Sequence, residues 1–237
     1  TDFRMTAGYT SEVMDWVKEL MKTVPSEAEV YIAHHATIGR GQRKIKNAST
    51  LLEILRGRKV TVLSGHTHIN SINKIEKNVI EHNVGAICGA WWDTQHCTDG
   101  TPRGYKVLSK CAGKLTWYYK PVDYGKNYIA EAYGIGQTKF HPNSVVVNVW
   151  DWDPQWKVEW SEDGVFAGAM KQVNLVSPVF ASEIKAVYDA YGKAVPRWKS
   201  PKPSPHNFMA VPSPSARTVT ISIETRFGQK WTTSIAL

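Results

Sequence analysis

The 237-residue chain carries 29 Lys and Arg against 21 Asp and Glu, a formal charge of +8, and 42% of it is hydrophobic. That is enough apolar mass for one large domain or two small ones and too much for a disordered chain, while no run approaches the roughly 20 apolar residues of a membrane helix. Three cysteines (Cys88, Cys97, Cys111) allow at most one bridge, which excludes a disulfide framework. The basic excess suits phosphates, nucleic acid or acidic lipid without choosing among them.

In chain order, Val13, Trp16, Val17, Leu20, Met21 and Val24 recur at helical spacing, with Thr10 or Ser11 to cap the start and Pro25 to end it. Val30–Ala33 reads as a short buried strand. A basic loop runs from Arg40 to Lys46. Leu51, Leu52, Ile54 and Leu55 make a second helical face, closed by Gly57, and Val60–Leu63 is the next strand. The Gly-punctuated stretch Val84–Ala90 reads as a strand. Tyr105–Leu108 and Leu115–Tyr118 flank a hairpin turn. Val145–Trp150, Val158–Trp160 and the alternating Val219, Ile221 and Ile223 are strands, and Phe227-Gly228-Gln229 turns the chain into the last one. A helix is expected over 182–191. The proline-rich stretch from Pro196 to Pro214 excludes helix and suits loop or edge strand. These elements give an α/β part over 1–121 and a small β-sandwich over 122–237. Nine of the ten tryptophans lie beyond residue 90, in keeping with two regions of different character.

His34 and His35 follow the first strand, and Gly65-His66-Thr67-His68 follows the second. A helical connection joins parallel strands, whose carboxyl ends share one sheet edge, the edge at which open α/β sheets bind ligands. Imidazoles gathered there suit zinc, manganese or iron, and Gly65 permits a sharp turn with positive φ. Tyr-Ile-Ala-His34-His35 and Leu-Ser-Gly-His66-Thr-His68 resemble the last two metal motifs of the calcineurin-like metallophosphoesterases. Gly89-Ala90-Trp91-Trp92 and Asp99-Gly-Thr-Pro-Arg-Gly-Tyr105 are similar to a bacterial secreted or periplasmic branch with an extra C-terminal β domain.

The resemblance implies a four-layer α/β sandwich, two divalent ions (Mn, Fe or Zn) and hydrolysis of a phosphate mono- or diester. It assigns His34 to one ion, with His35 as the alternative because Ala36 stands where proline is common. His66 shares that ion and His68 takes the other. The family's Asp-x-His, Gly-Asp and Asn-His motifs do not precede His34, and Asp2 and Asp15 do not replace them. The resemblance therefore implies that this chain holds only the His-rich half, needs an N-terminal half as partner, and binds two metals weakly and has little activity alone.

Arg40, Arg43, Lys44, Lys46, Arg56, Arg58 and Lys59 lie between the histidine motifs against Glu53 alone, and Arg40 is the candidate for phosphate contact. Trp91 or Trp92 can stack on a leaving group, and Trp91 and Asp99 are the other candidate substrate contacts. His82, His141 and His206 read as structural. A second function class is a Trp-rich module for glycan or cell-surface polymer, since aromatic faces on β-sandwiches stack on sugars as well as fill cores. A nuclease rests only on the net charge.

Overall fold

The computed structural model describes residues 8–39 and 45–237. Arg40, Arg43 and Lys44 lie outside them. The chain forms two compact units. The first runs to Thr67 and takes in Ser71–Val84; the second holds His68–Asn70 and Gly85–Leu237.

In the first unit, α1 (Ser11–Thr23) is capped by Thr10, whose hydroxyl accepts from the Val13 N–H. Its far end is closed by the Arg58 guanidinium, which donates to the carbonyls of Met21, Val24 and Pro25. Arg58 thus serves the helix terminus. Strand β1 (Val30–Ala36), helix α2 (Ala48–Ile54), strand β2 (Val60–Gly65) and the hairpin β3 (Ser71–Glu76)–β4 (Val79–Asn83) follow. They build one four-stranded sheet in the order β1-β2-β4-β3, with β1 parallel to β2 as the helical connection implied. Val60, Val62 and Val79 present one face to Met14, Leu51 and Leu55 of the helices, with Val30 and Ile32 packed alongside. Fully burying each such side chain contributes roughly 1.5–3 kcal/mol.

The helical stripe needs revision. Met14 is the buried residue of α1, whereas Val13, Trp16 and Leu20 are exposed. Among the described residues the first unit holds a single sheet, covered on one face by the helices, and Tyr31 and Ile80 on the other face are exposed.

The second unit is β-rich. Its hairpin β5 (Gly104–Cys111)–β6 (Lys114–Pro121) turns at Ala112 and Gly113, both at positive φ. Strands β7 (Glu131–Tyr133), β8 (Val145–Asn148), β9 (Lys157–Glu162), β10 (Val165–Ala169) and β11 (Lys171–Val176) precede α3 (Pro178–Ala190), and β12 (Pro203–Ala210), β13 (Thr218–Glu224) and β14 (Lys230–Ala236) follow it. They form two antiparallel sheets, β10-β9-β13-β14 and β11-β12-β8-β7. Val145, Val147, Val149 and Phe208 meet Val158, Val219, Ile221 and Ile223 in a common core, the packing of a sandwich.

Three sequence readings differ from this unit. Val84–Ala90 is turn and coil, because β4 ends at Asn83 and its N–H and C=O groups bond across loops. The third helix starts at Pro178, four residues early, because Ser177 caps Phe180 and proline occupies the first turn. The proline-rich stretch supplies an interior strand. β12 pairs with β11 along its length but with β8 only from Asn207, so Pro203 and Pro205 lack an N–H where none is required. Nor does the hairpin belong with the first unit. Lys106 on β5 forms a buried 2.7 Å ion pair with Asp151, which moves the boundary from 121 to 84.

Candidate metal centre

Strand β1 runs through both histidines rather than stopping before them, and its register against β2 shifts between Ala33 and Ala36. This bulge sets His34 and His35 opposite Ser64 alone, a device that re-aims side chains beside functional sites. The two rings part. His34 turns towards the helices, where Tyr9 Oη lies 3.0 Å from its Nδ1. Burial lowers the His34 pKa against the opposing pull of Glu81, and burial pushes the Tyr9 phenol up to about 12, so the pair is neutral at pH 7. His34 Nε2 is buried with no partner.

His35 turns to the exposed side and meets His66, with Nε2 and Nδ1 3.0 Å apart and the rings edge to face. Neutral imidazoles share one proton at that distance. Two nitrogens each about 2.1 Å from one ion also stand about 3.0 Å apart when the angle between them is near 90°. The partner of His66 is His35 rather than His34. Among the described residues no three His, Cys, Asp or Glu side chains gather to hold an ion.

The turn after β2 bends at the histidines. Gly65 is not among the residues at positive φ, and a Cβ there would meet nothing closer than the His35 carbonyl oxygen at 3.8 Å. His66 (φ 71°) and His68 (φ 52°) take the left-handed conformation instead, as do Trp91 (53°) and Trp92 (69°). For bulky side chains this conformation costs about 1 kcal/mol or more per residue, and such strain concentrates at functional sites.

His68 is held within the second unit. Its Nδ1 lies 2.7 Å from the Gly89 carbonyl oxygen, which only accepts, so the proton sits on Nδ1 and the lone pair of the neutral ring on Nε2. A backbone carbonyl on one ring nitrogen is a common way to orient a metal-binding histidine. Trp91 stacks on the same ring (4.0 Å, 15°) and sets its own ring against the edge of Trp198. Trp91 is therefore half-buried scaffolding for His68, while Trp92 is exposed.

Asp99 is corrected from substrate contact to internal brace. It is buried, and accepts from the N–H groups of Asn70 and Thr101 and from the Thr101 hydroxyl. Burial raises its pKa to about 6. Arg40 lies outside the described residues. All three cysteines are free thiols, and burial pushes that of Cys97 up.

Glu81 was not anticipated from the sequence. It is wholly buried on β4, and its carboxylate accepts from the Thr37 hydroxyl (2.7 Å), the Ile38 and Gly39 N–H groups (2.7 and 2.8 Å) and the Ser64 hydroxyl (2.8 Å). It ties the segment after His35 to the strand before His66. The signal was an acid inside the apolar run Val79-Ile80, where an unpaired carboxylate is not tolerated.

The family model described as C terminal of calcineurin-like phosphoesterase matches residues 81–231, more than half of the chain. The chain belongs to that family. The match begins C-terminal to His34, His35, His66 and His68 and covers the Trp91 segment, α3 and the phosphoesterase β-sandwich up to the start of β14. No curated protein and no solved structure matches the chain. Among the described residues no helix is long and apolar enough to cross a membrane.

Proposed function

We propose that this phosphoesterase chain contributes the histidine side of a dinuclear site that hydrolyses a phosphate mono- or diester. The observation that carries the reading is the His35–His66 pair, 3.0 Å apart at the carboxyl ends of two parallel strands. His35 and His66 would hold one divalent ion (Mn, Fe or Zn), and the resemblance gives His68 Nε2 to the other. Bound ions would neutralise phosphoryl charge and make hydroxide available at neutral pH.

The chain's own residues act by positioning. Glu81 fixes the turn behind His35, and the Gly89 carbonyl and Trp91 set the tautomer and plane of His68. Arg40 is the residue proposed to meet substrate phosphate. A carboxylate between the ions and a proton donor for the leaving oxygen would come from an N-terminal partner half carrying the Asp-x-His, Gly-Asp and Asn-His motifs. The bacterial periplasm or exterior is the proposed location.

The test measures bound Mn and Zn by mass spectrometry and hydrolysis of p-nitrophenyl and bis-p-nitrophenyl phosphate. The chain is assayed alone and with a polypeptide bearing those motifs. Alone it should hold metal weakly and turn over little; with the partner it should hydrolyse one of the esters, and His35→Ala should abolish that. Two tightly held ions in the lone chain, or no hydrolysis of either ester with the partner bound, would overturn the reading.

A further inference from the structure

The loop that carries Trp91 is made of residues that resist its shape. Gly89, Trp91 and Trp92 all take positive φ (58°, 53° and 69°), and two bulky neighbours do not hold that conformation by themselves. The same loop orients His68, through the Gly89 carbonyl and the face of Trp91. Whatever fixes the loop therefore fixes the ring.

The grips on the loop come from 87 and 106 residues further along the chain. From α3, Glu183 places one carboxylate oxygen 2.8 Å from His96 Nδ1 and accepts from the His96 N–H with the other at 3.3 Å. Phe180, Ile184 and Tyr188 of the same helix bury Ala90. A short 3₁₀ turn over Arg197–Lys199 then delivers two more side chains. Trp198 stands perpendicular to Trp91 with 4.6 Å between ring centres. Lys199 pairs with Asp93 at 2.5 Å, and the two side chains are only 10% and 15% exposed. Its ammonium also lies 4.9 Å from the Trp198 ring centre and 5.8 Å from that of Tyr188, close enough for cation–π attraction to both. Lys199 thus ties the loop, Trp198 and α3 together. The His68 backbone is held from this segment too. Thr98 donates its N–H and hydroxyl to the His68 carbonyl, and the Lys202 N–H donates to the Thr98 carbonyl.

This is the arrangement of a brace. A residue placed for core stability would be buried, whereas Trp198 is 55% exposed and meets the very ring that stacks on His68. Without Lys199 the Asp93 carboxylate would be left largely buried and without its counter-charge. The loop relieves that by turning Asp93 to water, which carries Trp91 with it.

We infer that Trp198 and Lys199 are positioning residues for His68, keeping its proton on Nδ1 and its lone pair on Nε2. The C-terminal segment of the chain then works as part of the site. Its purpose rests on the reading of His68 as a metal ligand; the brace itself does not.

Long-range ¹H–¹⁵N spectra of the metal-free 237-residue chain near pH 8.5, about two units above the ordinary imidazole pKa, report which ring nitrogen carries the proton. His68→Gln identifies the His68 signals by their loss. The wild type should show the Nδ1–H tautomer alone. Trp198→Ala and Lys199→Met should each move the tautomer ratio about tenfold towards Nε2–H, the scale on which groups behind a metal-binding histidine act, and should weaken zinc by a similar factor. Ile221→Val, in the sandwich core, loosens packing away from the loop and should leave the ratio alone. If the wild type carries the proton on Nε2, if either folded Trp198→Ala or folded Lys199→Met keeps the wild-type ratio, or if Ile221→Val moves it as far, the inference fails. Should Lys199→Met not fold, Trp198→Ala, at an exposed position, decides alone. A ratio that moves while zinc affinity stays put would uphold the brace and overturn the metal assignment of His68, so the two readings fail separately.

Discussion

Replacing Glu81 by alanine removes one carboxylate and strands four close donors and a fifth, the Asn73 amide, at 3.3 Å. The Thr37 hydroxyl, the Ile38 and Gly39 N–H groups and the Ser64 hydroxyl all bond to it within 2.8 Å, in a place where the carboxylate itself is wholly buried. A hydrogen bond to a charged acceptor is worth about 1.5–3 kcal/mol, which for four bonds sets a ceiling near 10 kcal/mol. Thr37 is 9% exposed and Ile38 and Gly39 are half-buried, so water reaches part of the vacated space. About 4 kcal/mol is the expected loss, of the size seen when a buried network is broken. For a protein of this length that lowers Tm by roughly 8–16 °C. Glu81→Gln keeps the shape but turns an NH₂ against donors, and should lose about half as much. The assay is urea unfolding followed by tryptophan fluorescence, with Trp16 reporting on the first unit. A Glu81→Ala variant less than about 1 kcal/mol below the wild type, where surface substitutions fall, would refute the claim that this carboxylate holds the turn behind His35.

The pleat makes a second prediction: His35→Ala should abolish zinc binding measured by calorimetry, while His34→Ala should change it less than about threefold, within 1 kcal/mol. Equal losses would place both rings in the site. A third concerns pH. Asp99 has its folded pKa raised from 3.8 to about 6, so it binds more protons folded than unfolded, and stability falls as pH rises from about 4 to 6. His206 is lowered from 6.5 to about 4 by burial and by Lys106, so it binds fewer protons folded, and stability rises over about pH 4 to 6.5. The two slopes oppose, each worth about 3 kcal/mol over its window. Asp99→Asn should therefore leave a profile climbing more steeply between pH 4 and 6 than the wild type's; parallel profiles would count against the Asp99 shift. A fourth contrasts two glycines. Gly65→Ala should cost less than about 1 kcal/mol, because φ is ordinary there and the space is open. Gly100→Ala places a Cβ 2.2 Å from Ser177 Cβ at φ 84° and should cost several-fold more by thermal melting.

The local code was legible where one residue decides one feature. Thr10 capped α1, the β5–β6 hairpin formed where alternation and Gly113 placed it, and Val219, Ile221 and Ile223 are buried as their spacing required. Parallel pairing of β1 with β2 followed from the connection between them. The sequence did not reveal which histidine of the doublet faces His66, because the strand was read as ending at Ala33 and nothing local announces the register shift that sets both histidines opposite Ser64. It did not reveal that Asp99 is internal or that Glu81 is a hub, because both depend on donors 17 to 44 residues away for Glu81 and on Asn70, 29 residues away, for Asp99. The apolar stripe read on α1 is covered only in part: Met14 beside it is buried, whereas Val13, Trp16 and Leu20 are exposed.

The bulge in β1 has a consequence for how this chain tolerates insertions and deletions. Flush pairing would align the residue after Ala33 with Ser64 and send it towards the helices, leaving alanine across from His66. His34 thus matters as length: it is the spacer that carries its neighbour to the far side. Excising it should silence the edge as thoroughly as His35→Ala, although trimming it to alanine leaves the edge intact. A census of point substitutions would score this position as dispensable, and a single-codon deletion would show that it is not.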